Sequence, residues 1–200
     1  MEPVRNLAEL EALYESPVPL SLTKVVHEIT PLYREWIAAS RLVFVTTVGP
    51  EGTDCSPRGD DGPVVRELDP KTLLLPDWRG NNRIDSLRNI VRDGRASLMF
   101  LVPGSKTVIR TNGRAIVTTD PAVCESFEQN AKHPRSVIAF TIEEMYTQCA
   151  KAFMRSRFWE RGDESSTVPS AGQLMKERDQ GFDAADYDSG YAERAKPRMW

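Results

Sequence analysis

The sequence is poor in the residues that build metal sites and disulfide frameworks. Its 200 residues include three cysteines and two histidines. The cysteines, Cys55, Cys124 and Cys149, are far apart and have no CxxC spacing, so neither a disulfide framework nor a zinc site is predicted. With only His27 and His133 available, we expect no bound metal and no histidine-based catalytic triad.

Several motifs and segment types are lacking as well. The chain has no GxGxxG, no GxxxxGK followed by Ser or Thr, and no GxSxG, which removes the commonest nucleotide-binding and hydrolase signatures. No apolar run approaches the roughly 20 residues that span a membrane. The opening MEPVRNLAELEALYE has neither the basic nor the apolar region of a signal peptide. We therefore expect a cytoplasmic protein with no membrane partner.

The charge balance argues against binding to nucleic acid. The formal net charge is -3, charged residues make up 28% of the chain, and both signs are interspersed. Arginine nevertheless outnumbers lysine by 19 to 7, and arginine is the residue that binds phosphate and planar oxyanions in a bidentate way. A hydrophobic content of 40% is enough for one sizeable core, so we expect a single domain with appendages.

The hydrophobic pattern predicts an α+β protein, mainly β, with antiparallel strands. Helical spacing occurs near Leu7 and again from Ser21 to Ile37, where Pro31 should kink or divide the helix. Gly113 marks a probable bulge in a long strand. Alternating segments predict strands at 42–48, 53–58, 64–68, 72–75, 96–102, 107–119 and 136–142.

Helices are predicted between and after these strands. Asn82 suits the N-cap of a helix that ends near Asp93, and further helices are expected at 122–130 and 150–159. We expect N-terminal helices over 1–40, which pack on a β domain over 41–160. Residues 161–200 are polar, with one short helix at 171–178, and are predicted to form an arm that wraps a partner subunit or frays.

The segment from Arg79 to Arg95 concentrates positive charge. It holds five arginines and two aspartates in a chain that is acidic overall. A strand, a glycine-containing loop and the start of a basic helix form a phosphate-binding arrangement, in which Asn81, Asn82 and Arg83 would touch the phosphate. The alternative is that Asn82 only caps the helix and that the later arginines are a solvated face.

Two further segments carry cationic side chains. In SPRGD, the fixed backbone of Pro57 and the free backbone of Gly59 could hold Arg58 against a neighbouring loop, or the segment is a turn with an exposed ion pair. In CAKAFMRSRFW, residues 149–159, Lys151 and Arg155 share a helix with aromatic side chains. That surface suits an anionic planar ligand, or is an amphipathic helix whose basic residues reach over the core.

In order along the chain, these segments resemble one family. SPRGD, TLLLPDWRGNNRIDSLRNI, FLVPG, TVIRTNGRA and CAKAFMRSRFW are similar to the motifs of the pyridoxamine 5'-phosphate oxidase-related FMN-dependent proteins. The resemblance runs from about Leu7 to Ser170. It implies a six-stranded antiparallel Greek-key FMN-binding split barrel with peripheral helices. It also implies a homodimer that binds two FMN molecules in the clefts between its subunits.

The resemblance also implies a set of FMN-binding residues. Arg58, Asn81, Asn82 and Arg83 match the family's phosphate-binding positions, and the main chain of Pro76 and Asp77 matches positions along the flavin ring. The MRSRFW segment would approach the cleft, either from the same subunit or from the other one. The full expected set is Arg58, Gly59, Asp60, Pro76, Asp77, Asn81, Asn82, Arg83, Arg110, Lys151, Arg155 and Ser156.

The sequence departs from the family in two places. After SPRGD the chain continues with Asp61, Gly62, Pro63 and Val64, where this branch of the family has an aromatic residue that would lie over the flavin. The Arg-Leu-His-Asp-Arg type of ending, with which true pyridoxamine phosphate oxidases hold their substrate, is absent, so vitamin B6 oxidation is not expected.

The resulting expectation is an FMN-dependent oxidoreductase with a small-molecule substrate or a nicotinamide donor. No catalytic base is predicted, because a flavin carries the redox chemistry and the protein supplies anchoring, orientation and charge. Arg110 and Arg155 would stabilise the reduced flavin or hold an acidic substrate. The alternative is a non-catalytic module in which the same fold binds a flavin, haem or a deazaflavin.

Overall fold

The computed structural model describes all 200 residues as helices, strands and their connections. The helices are α1 (Leu7–Glu11), α2 (Pro19–Thr23), α3 (Pro31–Ala38), α4 (Asp85–Arg92), α5 (Pro121–Glu125), α6 (Lys151–Ser156), α7 (Ala171–Arg178) and α8 (Ala184–Ala195). The strands are β1 (Leu42–Gly49), β2 (Gly52–Gly59), β3 (Arg66–Asp69), β4 (Thr72–Pro76), β5 (Arg95–Leu101), β6 (Val108–Thr118) and β7 (Val137–Gln148). No helix is both long enough and apolar enough to cross a membrane.

The strands form one antiparallel sheet. Their order is β2-β1-β5-β6-β7-β4-β3, so β4 joins the sheet beside β7, whereas α4 returns the chain to β5 beside β1. The predicted class, mainly β with antiparallel strands and accompanying helices, is confirmed. The expected count of six strands is wrong, because β3 pairs with β4 as a seventh strand. β2 and β3 are the two edges and share no backbone pairing, so closure into a barrel is not observed.

Alternation of side chains explains why the central strands bury one face. Val43, Val45 and Thr47 of β1 are buried, as are Leu98 and Phe100 of β5, while the residues between them are more exposed. Because successive side chains of a strand point to opposite faces, these positions share one side of the sheet. The four apolar residues among them belong to a core of 18 buried residues, to which α3 and α4 also contribute.

The longest strand pair contains the bulge that the sequence predicts. The β6–β7 register shifts between Asn112 and Gly113, and Glu143 of β7 is the residue left without a partner. A Cβ atom on Gly113 would lie 2.0 Å from the carbonyl oxygen of Thr141, so only glycine allows the two strands to approach this closely. The bulge lets β7 extend beyond the predicted end at Ile142, to Gln148.

Several predicted helix boundaries are wrong, for backbone reasons. The helix expected from Ser21 to Ile37 is divided, as Pro31 predicted, but its first part ends at Thr23, because the segment before Pro31 is extended and Val26 pairs with Met145 of β7. The helix expected to follow Asn82 begins at Asp85. Asn82 and Ile84 have φ of 61° and 54°, a left-handed conformation that a right-handed helix cannot include.

Two later helices are shorter than expected, and one helix was not predicted. α5 ends at Glu125 rather than Asn130, which itself has a positive φ. α6 ends at Ser156 because Arg157 is left-handed. In the predicted C-terminal arm, α7 lies at 171–178 as expected, and α8 follows it as a helix that the polar sequence did not reveal.

Candidate functional site

A cleft of about 760 Å³ opens where β2, the loop after β4, the start of α4 and the loop before β7 meet. Such a volume lies within the usual range for small-molecule and cofactor sites. β2 contributes Arg58, and the loop after β4 contributes Asp77 and the segment 78–84. β2 and β4 are not neighbours in the sheet. The end of β2 and the loop after β4 therefore meet at the cleft without pairing as strands.

Arg58 and Asp77 form an ion pair in this cleft. Arg58 Nη1 lies 3.1 Å from Asp77 Oδ1, and both side chains are largely withdrawn from solvent, with exposures of 24% and 18%. Burial raises the pKa of the Asp77 carboxyl above its ordinary value, and the nearby charge of Arg58 partly offsets that rise. Asp77 thus holds the Arg58 guanidinium in place at the edge of the cleft.

Arg58 also carries an unused hydrogen-bond donor. Its Nε atom is buried and has no hydrogen-bond partner in the protein. A buried donor without a partner costs about 1–3 kcal/mol of stability. Native proteins therefore rarely contain one unless a ligand or a water molecule accepts its hydrogen bond. The donor belongs to a charged group that lines the cleft, which is what an anionic ligand would need.

The loop that crosses the cleft has an unusual backbone. Asn82 and Ile84 are both left-handed, a conformation that costs a β-branched residue such as Ile84 roughly 1–2 kcal/mol. The Asn81 side chain accepts a hydrogen bond of 3.0 Å from the amide of Arg83, which fixes the turn between them. The loop therefore keeps a strained shape in which Asn81, Asn82 and Arg83 all line the cleft.

A polar network fixes the start of α4 against the β1–β2 hairpin. Ser86 donates a hydrogen bond of 2.5 Å to Asp54 of β2, and Asn89 donates one of 3.2 Å to Thr47 of β1. Ser86, Asn89 and Thr47 are buried, so loss of either bond would leave a polar group without a partner in the core. This attachment positions the helix start, and with it the loop at 81–84, beside Arg58.

Positive charge exceeds negative charge in the cleft. The carboxylates of Asp77 and Asp85 pair with Arg58 and Arg83, and that of Asp54 accepts the bond from Ser86. The remaining cationic side chains that line the cleft are Arg79, Lys132 and Arg135. Arg79 and Arg135 form no ion pair, whereas Lys132 donates a hydrogen bond to the main-chain oxygen of Trp200. The surplus favours an anionic ligand, in a chain that is acidic overall.

A smaller cavity of about 240 Å³ lies on the other side of Arg58. Gly59, Asp60 and Pro76 line it, so these three expected site residues lie near the cleft but not in its main part. The Asp60 carboxylate accepts hydrogen bonds from Trp78 Nε1 at 2.7 Å and from Gln129 Nε2 at 2.9 Å. Its acceptors are thus occupied by the protein, and Asp60 positions Trp78 in the cleft wall.

Four expected site residues lie outside both cavities of this single chain. Arg110 is on β6, where its guanidinium lies 5.5 Å from the ring of Tyr146. Lys151, Arg155 and Ser156 are exposed on α6. A contribution from these four residues would require a second chain and stays a prediction.

The structure adds cleft residues that sequence reasoning missed. Trp78 and Arg79 adjoin expected residues in the chain, so the PDWRGNNR segment could have indicated them. Lys132, His133 and Arg135 come from the loop before β7, and Trp200 comes from the C-terminal arm. No pattern connects these distant segments with the cleft, since only the folded sheet brings the loop there.

Comparison with known proteins agrees with this geometry. The family model described as pyridoxamine 5'-phosphate oxidase matches residues 29–149. The chain belongs to the pyridoxamine 5'-phosphate oxidase family. The match includes all seven strands and α4, and therefore every cleft residue except Trp200. No curated protein sequence matches the chain.

The chain is also similar to solved structures at low sequence identity. A variant of HupZ from Group A Streptococcus is 20% identical, with a TM-score of 0.50, and the alignment covers 60% of this chain and 99% of that one. General stress protein 26 from Bacillus anthracis is 15% identical, with coverages of 57% and 88% and a TM-score of 0.44. An FMN-binding protein from Syntrophomonas wolfei is 14% identical, with coverages of 58% and 83% and a TM-score of 0.42.

Proposed function

We propose that the protein binds FMN in the 760 Å³ cleft and acts as an FMN-dependent oxidoreductase. The observation that carries the proposal is the buried, unpartnered Nε of Arg58, at a cleft with surplus positive charge. Membership of the pyridoxamine 5'-phosphate oxidase family supports it.

The chain's own residues account for anchoring of the phosphate. Arg58 offers a charge-assisted donor from β2, Arg83 offers a second guanidinium, and the strained loop at 81–84 presents its backbone to the cleft. Hydrogen bonds from charged donors to phosphate are about twice as strong as neutral ones. The terminal phosphate of FMN fits this set, and no feature of the chain marks a place for the adenine of FAD.

Bound FMN would supply the redox chemistry by accepting a hydride from a small substrate or a nicotinamide donor. The protein's part would be to orient that ring and to balance charge beside it. The cationic side chains Arg79 and Arg135, which have no carboxylate partner, are available to hold an acidic substrate or to stabilise negative charge. We also propose that the protein is a homodimer, in which α6 of one chain approaches the cleft of the other.

Comparison of three flavins tests the phosphate assignment. Apoprotein is titrated with FMN, riboflavin and FAD, with the quenching of flavin fluorescence as the signal. We expect FMN to bind at least about ten-fold more tightly than riboflavin, which lacks the phosphate and its charge-assisted bonds. Equal affinity for FMN and riboflavin, or tighter binding of FAD, would overturn the proposal.

A second measurement distinguishes the enzyme from a binding module. The ligand that co-purifies is released by heat and identified by mass, and the FMN-loaded protein is then mixed anaerobically with NADH or NADPH. Loss of the flavin absorbance near its usual visible maximum supports an oxidoreductase. A haem spectrum, a deazaflavin mass, or a flavin that no donor or small substrate reduces would favour the non-catalytic alternative.

A further inference from the structure

The last part of the C-terminal arm, residues 179–200, packs against α7 and then reaches the cleft. Asp188 of α8 accepts hydrogen bonds from Ser170 Oγ and from the Gly172 amide, the latter at 2.9 Å. A Cβ atom on Gly172 would lie 2.6 Å from the carbonyl oxygen of Ala184, so the two helices are closely packed here. α8 therefore has a defined attachment, and its direction determines where the following residues lie.

The residues after α8 end at the two cavities beside Arg58. Trp200 lines the larger cleft, and Met199 lines the smaller cavity. Lys132, from the loop before β7, holds this segment. Its Nζ donates a hydrogen bond of 2.9 Å to the carbonyl oxygen of Trp200 and a longer one of 3.5 Å to that of Pro197.

The cleft has few aromatic groups for a planar ligand, and they come from different parts of the chain. Its two tryptophans are Trp78 and Trp200. Trp78 is fixed in the wall by its bond to Asp60. Trp200 is connected to the sheet mainly through Lys132, and the segment at 61–64 supplies no aromatic residue to the cleft. Trp200 is thus the cleft tryptophan that the C-terminal segment, rather than the loop after β4, contributes.

We propose that Trp200 is a cofactor-binding residue, and that Lys132 positions it so that its indole covers the planar ring of the bound ligand. The inference rests on the proposed function, which supplies FMN as that ligand. A tryptophan in contact with an aromatic ring contributes beyond simple burial, and a cover of this kind slows ligand exchange.

The rate of FMN release tests this role. Trp200→Ala, Trp200→Phe and Lys132→Met are loaded with FMN, and dissociation is followed by the return of free-flavin fluorescence after dilution. We expect release about two- to ten-fold faster for Trp200→Ala, as aromatic contacts of this size predict. Trp200→Phe should retain part of the effect, and Lys132→Met should resemble Trp200→Ala. Lys196→Met is the control, because Lys196 pairs only with Glu193.

Limited proteolysis gives a readout that does not depend on flavin signals. Trypsin cleavage after Arg194 or Arg198 removes Trp200, and we expect FMN to slow cleavage at both sites several-fold in the wild type but not in Lys132→Met. Cleavage after Arg5, on the exposed N-terminal segment, should not respond to FMN.

The outcomes separate this inference from the proposed function. If the wild type does not bind FMN, the proposed function fails. If the wild type binds FMN but the Trp200 and Lys132 variants release it at the wild-type rate, the proposed function stands and the inference is wrong. Slower release or tighter binding in Trp200→Ala would also overturn it, since the arm would then compete with FMN rather than cover it.

Discussion

The Arg58 guanidinium contacts the Asp77 carboxyl at 3.1 Å, although the two residues belong to segments that do not pair in the sheet. β2 ends at the cleft with Arg58 near its last residue, and Asp77 is the first residue after β4. The amide of Asp77 donates a hydrogen bond of 3.0 Å to the carbonyl oxygen of Ser136, which fixes its backbone against the start of β7. The pair is therefore held by two separate parts of the sheet.

Arg58→Ala should weaken FMN binding by about ten-fold to a hundred-fold, because it removes a charge-assisted contact worth roughly 1.5–3 kcal/mol. Arg83→Ala should have a smaller effect, since the Arg83 side chain is 80% exposed and already pairs with Asp85. Titration of apoprotein with FMN measures both. Arg92→Ala is the control, because Arg92 lies outside the cleft and pairs with Glu51. If all three variants bind FMN with equal affinity, Arg58 does not contribute to the FMN site.

Asp77→Asn should change how FMN affinity depends on pH. The pKa of Asp77 is raised in the folded protein, so its carboxyl ionises later than usual as pH rises. Once ionised, it competes with the FMN phosphate for Arg58. The wild type should therefore lose affinity relative to Asp77→Asn as pH rises through this pKa. Ionisation of the phosphate itself affects both proteins equally, so the ratio of their dissociation constants isolates Asp77.

The free energy of unfolding of the wild type should likewise fall relative to that of Asp77→Asn as pH rises. A carboxyl whose pKa is raised by folding stabilises the folded state most below its ordinary pKa, and that contribution is lost as pH rises through the folded value. Urea unfolding at several pH values measures the difference between the wild type and Asp77→Asn. A difference that does not change with pH would show that the Asp77 pKa is not raised.

Gly113→Ala should destabilise the fold without touching the cleft. The new Cβ would lie 2.0 Å from the Thr141 carbonyl oxygen, so β6 and β7 must separate, at a cost of about 1–3 kcal/mol or more. Thermal unfolding should show a lower midpoint. Gly62→Ala is the matched control, because nothing lies within 4 Å of a Cβ atom at that position. A midpoint equal to that of the control would show that the bulge is not as tight as described.

The predicted homodimer should depend on the segment after β7. Phe158 is 57% exposed and packs edge-on against Trp159, at 4.9 Å between ring centroids. Exposed aromatic groups of this kind favour an interface. Trp159→Ala should weaken both association and FMN retention, and Arg155→Glu should weaken FMN retention. Val91→Ala, which removes an exposed apolar side chain from α4, should change neither.

Sedimentation that records flavin absorbance together with protein mass measures the two effects at once. If the site is shared, dissociation of subunits and loss of FMN should occur at the same protein concentrations. A monomer that keeps its FMN at low concentration would show that one chain suffices, as the single-chain cleft allows.

Sequence reasoning predicted the sheet better than the site. Alternating apolar residues place β1 and β5 correctly, because a buried strand face requires that period. Arg58, Asp77 and the loop at 81–83 are close together in the fold, as the family motifs implied. Lys132 and Trp200 could not be predicted, since their approach depends on the register of β7 and on the packing of α8 against α7. The left-handed Ile84 was equally hidden, because a β-branched residue does not favour that conformation locally.

Pro57 has a consequence for the solubility of the protein. It lies in β2, which is an edge of the sheet, and it precedes the residue proposed to hold the phosphate. Proline has no amide hydrogen, so this edge cannot offer a continuous row of donors to a strand from another molecule. The proline next to Arg58 therefore also disfavours edge-to-edge aggregation, including in newly synthesised protein that has not yet bound a ligand.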